Sequence, residues 1–307
     1  MRRAIDMLCR VVAGLIGIET ASAACQSSEV TGISFTGATL AAYNPFTSYP
    51  PKTVGVTINA AATCSVELAF QVPNLPPRMT GPGSLAYDIT TMSGATSLVY
   101  AAGLPATTTR VDVGPGLASN TTVQVNIAPG QVVADGNYGD PTLLAQVFDK
   151  SGPTPALLKT FAVPLQGFVA RACHFGTSST TTMNFSSAIH NGLPNPGFVQ
   201  SVTFQELSCT APSIVRLTAS PMQLAVPPTS SGAFDSQIHV RARATFGGAN
   251  ADLDTSAGAA AASVSRHIAS GASTNGSVRL DVNLLRGGPL LPGTYTTTLT
   301  LSIDPNP

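Results

Sequence analysis

The chain closes on a run whose side chains alternate without a break, Leu291-Pro-Gly-Thr-Tyr-Thr-Thr-Thr-Leu-Thr-Leu-Ser-Ile303. Tyr295, Thr297, Leu299, Leu301 and Ile303 fall on one side; Thr296, Thr298, Thr300 and Ser302 fall on the other. Period two with one apolar face makes a half-buried β-strand, opened here by the turn Pro292-Gly293. Such a strand needs a hydrogen-bonded neighbour on each side, because an open edge invites pairing with other chains. An earlier strand of the same kind, Tyr138 to Phe148, is followed by a further alternating run through Phe161, Val163 and Leu165. The last one is followed only by Asp304-Pro-Asn-Pro307. The expectation is a domain that takes a strand from another chain.

Charged residues make up only 10% of the chain and cancel to no net charge, so there is no basic field to hold nucleic acid. Gly, Pro, Thr, Ser, Ala and Val dominate, which reads as many short strands joined by turns. The length of 307 residues suits two domains. Residues 1–23 read as a secretory signal: Arg2 and Arg3, the apolar run Val11–Ile18, and the small-residue site Ala21-Ser-Ala23. That run is too short to span a membrane. Lipidation at Cys25 is the rival reading, but Ser22 stands where a lipoprotein signal needs an aliphatic residue. Cys9 leaves with the signal, and Cys25, Cys64, Cys173 and Cys209 remain as a disulfide framework. Four cysteines allow three pairings; the nearly equal spacings favour Cys25–Cys64 and Cys173–Cys209.

The strands then fall into two copies of one plan. The first contains Val54–Ile58, the Cys64 strand with Val66, Leu68, Phe70 and Val72 inward, Leu85–Ile89, Ser97–Tyr100, Thr122–Ile127, Thr142–Phe148 and Phe161–Leu165. The second repeats the order with Val202–Phe204, Cys209, Ile214–Leu217, Ile238–Ala242, Val278–Leu284 and the closing run. The Gly-Asn-Tyr138 and Gly-Thr-Tyr295 turns correspond. The fold class expected is all-β: two immunoglobulin-like β-sandwich domains, 24–169 and 170–307, the second lacking its last strand. Ser256–Ser263 reads as a solvent-facing connection.

Ala42-Tyr-Asn-Pro-Phe46, the Cys64 strand, Pro77-Arg-Met79, Leu85-Ala-Tyr87, Gly136-Asn-Tyr-Gly-Asp140 and Pro292–Leu301 together resemble the spore coat protein U domain family. The Tyr-x-Pro and Arg-Met elements are not evident in the second copy. That family includes pilus subunits of archaic chaperone–usher systems of Gram-negative bacteria. The resemblance implies a domain short of one strand, completed first by a periplasmic pilus chaperone and then, through an outer-membrane usher, by the N-terminal donor strand of the next subunit. Cleavage after Ala23 leaves only Ala24 before Cys25, so the chain accepts a strand and gives none. The implied protein is a non-enzymatic two-domain tip adhesin at the cell surface, serving attachment to an abiotic or host surface and biofilm formation. The alternatives are a secreted coat-like or matrix protein, and a free-standing extracellular ligand-binding module or hydrolase.

The strand directions expected of the first domain place Pro73–Ser84, Gly114–Ser119 and Lys150–Pro155 together at its far end. Leu75, Pro76, Pro77, Met79 and Leu117 are then candidate surface-binding residues, with Leu75 and Met79 as core residues the competing reading. Tyr43, Phe46 and Tyr49 read as packing residues. Tyr295, Leu299, Leu301 and Ile303 are the candidate wall of the donor-strand groove. No catalytic residue, cofactor or metal site is expected. His174, His190, His239 and His267 lack ligand spacing, and His239 reads as solvent-facing. Asp252 and Asp254 lack a calcium loop.

Overall fold

The computed structural model describes residues 24–103, 110–176, 180–226, 232–257, 262–267 and 272–306. The signal at 1–23 lies outside them, as does part of the Ser256–Ser263 stretch, where Thr255–Ala257 forms one 3-10 turn. The described chain is all-β, with three single-turn 3-10 segments.

The first fourteen strands share one core. They are β1 (Val30–Thr36), β2 (Thr39–Tyr43), β3 (Lys52–Ala60), β4 (Ser65–Val72) and β5 (Arg78–Thr80). Then come β6 (Ser84–Ala86), β7 (Asp88–Thr90), β8 (Val99–Ala101), β9 (Val111–Pro115) and β10 (Ser119–Asn126). The last are β11 (Gly136–Gly139), β12 (Leu144–Asp149), β13 (Ala156–Ala162) and β14 (Gln166–Val169). One layer is β1-β3-β10-β7. The other is built from two blocks, β13-β12-β4-β8 and β2-β14-β11-β5-β6, stacked end to end because β4 runs on into β5, β11 into β12 and β13 into β14. The run expected as Leu85–Ile89 divides at Tyr87, so that β6 and β7 serve opposite layers.

The remaining strands are β15 (Cys173–Phe175), β16 (Ile189–His190), β17 (Leu193–Pro194), β18 (Val199–Cys209), β19 (Ser213–Ala219) and β20 (Met222–Leu224). They continue with β21 (Gln237–Ile238), β22 (Val240–Phe246), β23 (Ala249–Asp254) and β24 (Ala262–His267). The chain finishes with β25 (Ser273–Leu284), β26 (Tyr295–Thr296) and β27 (Leu299–Pro305). One layer is β15-β18-β25-β22-β23; the other joins β24-β19-β27 to β21-β20-β26.

Alternation sets the layers in both halves. Val54, Val56 and Ile58 of β3 are buried between exposed or half-exposed neighbours, and Val278, Leu280, Val282 and Leu284 of β25 repeat the pattern. The outward face of the second half carries ion pairs across and along strands: Arg241–Asp254, Arg243–Asp252 and Arg279–Asp281. Asp252 and Asp254 therefore lie in a strand, each paired to an arginine, and not in a loop. The disulfides are Cys25–Cys64 and Cys173–Cys209, with sequence separations of 39 and 36.

A matched pair of tyrosines fixes the equivalence of the two copies. The Tyr138 hydroxyl donates to Ala134 O at 2.7 Å, and that of Tyr295 to Leu291 O at 3.0 Å. This is the corner that opens the penultimate strand of immunoglobulin-like sandwiches. Thus β11–β12 corresponds to β26–β27, and β4–β5 to β19–β20. Each hydroxyl secures a turn, so Tyr138→Phe and Tyr295→Phe should each cost about 1 kcal/mol in equilibrium denaturation. A loss confined to one of them would show that the corners are not alike.

The copies meet at a short junction. Thr210 is fully buried; its hydroxyl donates to Ala170 O and accepts from the Ala172 N–H, each at 2.8 Å, and the Asp135 N–H donates to Thr210 O at 2.8 Å. Arg171 reaches both ways, from Nε to Asp135 Oδ2 at 2.8 Å and from Nη1 to Asn306 O at 3.3 Å. Phe46 stacks on His174 with ring centroids 5.3 Å apart.

Candidate functional site: a strand-shaped groove

In the first copy β11 pairs with β14, and β14 pairs on its far side, in parallel, with β2. Upstream, β12 pairs with β13. The chain thus supplies its own strand beside the tyrosine corner. Val163, Leu165 and Val169 point inward and are buried, with Phe161 half-buried.

The second copy has no such strand among the described residues. β27 pairs with β19 from Ala219↔Leu299 to Ser213↔Pro305, and β26 pairs with β20; their other edge is unpaired there. In place of a strand lies a groove of about 550 Å³. One bank is Tyr295–Leu299 and Leu301, and the other is Phe175 with Thr180–Met183 and Phe185. The floor is Phe204, Met222, Val240, Leu280 and Val282. Burial of the Tyr295 ring raises its phenol above the ordinary value, while the hydrogen bond to the Leu291 backbone works in the opposite direction.

Side-chain exposure tells the same story at equivalent positions. Tyr138 and Met79 are buried, whereas Tyr295 and Met222 are half-exposed. In β3, which pairs with β10, Val54, Val56 and Ile58 are buried, whereas in β18, which pairs with β25, Val202 and Phe204 are half-exposed. The apolar face is present in both copies, and among the described residues it is covered in one.

Of the residues expected to form the groove wall, Tyr295, Leu299 and Leu301 line it. Ile303 is half-buried against the second core and does not reach the groove. Sequence reasoning missed Phe204, Met222 and the Thr180–Met183 bank. A signal for one of them existed: Thr80 faces Gly139 just as Gln223 faces Thr296, which makes Met222 the counterpart of Met79. The second copy therefore keeps the methionine of Pro-Arg-Met79, as Pro221-Met222.

The candidate surface residues do not assemble. Met79 and Pro77 are buried, Met79 beneath Gly167 of β14, so neither can face a surface. Leu75 and Pro76 are exposed, and Leu117 is exposed to 75%. The three loops also lie at two ends. Ser65 of β4 faces Pro115 and accepts from the Lys150 N–H at 3.0 Å, which puts Gly114–Ser119 and Lys150–Pro155 at the start of that strand. Pro73–Ser84 begins at its finish, about 23 Å away at the rise of an extended chain. There Gly83 approaches Ala134 and Tyr138, next to the Asp135 that bonds across the junction. The error was one of strand direction: β4 runs toward the junction.

The residues read as packing do pack: Tyr43 is buried with its hydroxyl donating to Ala128 O at 2.9 Å, and the Tyr49 hydroxyl donates to Ala41 O at 2.9 Å. His239 is half-buried rather than solvent-facing, and its Nδ1 lies 2.9 Å from Thr255 O. The side chain of His267 lies outside the described residues. Among the described residues the one cluster of potential metal ligands is Cys25, Cys64 and Glu29, and its two sulfurs form a disulfide.

No family model matches the chain, that of the spore coat protein U domain included, and no curated protein sequence matches it. Solved structures do. A chain of the CsuC–CsuE chaperone–tip adhesion subunit pre-assembly complex from archaic chaperone–usher Csu pili of Acinetobacter baumannii is 13% identical, over 89% of this chain and 100% of that one, with a TM-score of 0.42. CfaE, the adhesive subunit of the CFA/I fimbria of enterotoxigenic Escherichia coli, is 10% identical over 87% and 91%, at 0.36. The CupB6 tip adhesin of Pseudomonas aeruginosa is 9% identical over 91% and 95%, at 0.29. Scores this low assign no function; the groove has to speak for itself.

Proposed function

We propose that this chain is a non-enzymatic tip subunit, an adhesin, of a secreted chaperone–usher pilus. One observation carries the reading. Two copies of one sandwich stand in one chain, and the slot that β13–β14 fills in the first is an open, apolar, strand-shaped groove in the second. A groove flanked by an unpaired strand edge is built for β-strand addition, in which main-chain hydrogen bonds give affinity and alternate side chains fill pockets. On this reading 1–23 is an export signal, 24–169 is a self-completed attachment domain, and 170–307 is the strand acceptor. A periplasmic chaperone covers the groove during export, an outer-membrane usher exchanges it, and the N-terminal strand of the next subunit takes its place. Attachment to an abiotic or host surface and biofilm formation fall to the end of the first domain opposite the junction, where Leu117 is exposed.

Thermal unfolding of the oxidised full chain, alone and with a copy of its own Phe161–Val169 segment tethered after Pro307, tests this. The strand should raise the melting of the second domain by at least about 10 °C, the effect of a few kcal/mol on a domain of this size. An unmoved transition would show that the groove does not accept strands.

A further inference from the structure

If the groove accepts a strand, the chain's own filled slot specifies which one. We infer that the occupant repeats the register of β14: it lies antiparallel to β26 and sets a glycine or alanine over Met222 opposite Tyr295. The inference rests on the strand-acceptor reading and adds the partner's sequence requirement to it.

The register follows from paired positions. Tyr138 is the Cα partner of Gly167, and Gly136 that of Val169. A Cβ added at Gly167 would lie 3.6 Å from Met79 Sδ, 3.7 Å from Met79 Cε and 3.8 Å from Leu40 Cδ1. A methyl fits in contact there, and a longer side chain runs into the methionine. Tyr295 and Met222 stand at the same two places in the open copy, so the limit on size carries over. To either side of Gly167, at alternate positions, stand Leu165 and Val169, both buried, which sets apolar side chains at the flanking positions of the occupant.

The test uses the full oxidised chain with a strand tethered after Pro307, made of alternating Val and Thr and ending in a copy of Leu165–Val169. Thermal unfolding should show the second domain raised by at least about 10 °C. Gly167→Leu made in the copy alone should remove more than half of that rise, and Met222→Ala in the acceptor should restore it. A Leu-bearing copy that stabilises as well as the Gly-bearing one, or a loss that Met222→Ala does not repair, overturns the register while the acceptor reading stands. So does a plain Val/Thr strand that stabilises when the copied one does not. If no tethered strand moves the transition, both fall.

Discussion

Replacing Cys173 and Cys209 together by serine should unfold the second domain at 37 °C and leave the first one folded. The bridge closes a loop with a sequence separation of 36, worth about 4 kcal/mol on the chain-entropy account. Whole domains are stable by only roughly 5–15 kcal/mol, and among the described residues nothing pairs with the open edge of this one. The Cys25–Cys64 bridge has nearly the same separation, 39, and removing it should cost about the same. The first domain should survive, because β13 and β14 cover its equivalent face. Circular dichroism melts of the two double variants read the difference. Equal survival of both domains would show that the open groove costs the second one little.

The second large effect concerns one leucine in each copy. Leu165→Ala empties a site that is 3% exposed, and it should destabilise the first domain by about 2–5 kcal/mol. Leu301→Ala acts on a half-exposed side chain of the groove wall, so in the chain alone it should cost about 1 kcal/mol or less. With a strand tethered in the groove, Leu301 becomes a core residue and its loss should rise toward that of Leu165. Denaturant titration of the four species gives the coupling directly. A cost at Leu301 that ignores the strand would mean that the strand binds elsewhere.

Much of this fold was legible in local patterns. Alternation at Val66–Val72 and Leu299–Ile303, the two Gly-x-Tyr turns and the near-equal cysteine spacings report local or pairwise geometry, and local geometry survives in one dimension. What did not survive is direction. Leu75–Met79 looked like a distal loop because nothing local tells whether β4 runs toward the junction or away from it. That is decided by long-range pairs such as Ser65 with Pro115. Met79 looked like a loop residue because Gly167, the residue that roofs it, lies far along the chain. For the groove, the alternating wall was readable, but the opposite bank at Thr180–Met183 carries no pattern of its own. It becomes a bank only by facing an empty slot.

Pulling on the first domain has a consequence set by the junction. Tension enters the second domain at Arg171–Cys173, and the Cys173–Cys209 bond hands it covalently to the end of β18, bypassing the loop between. From there it spreads into β25, which pairs with β18 from Val199↔Asn283 to Cys209↔Ser273. An antiparallel strand held in the groove and dragged along its own axis loads its row of hydrogen bonds together, in shear, instead of one after another. The parts of this molecule most exposed to traction are thus the parts fastened by a covalent bond or by many bonds acting at once.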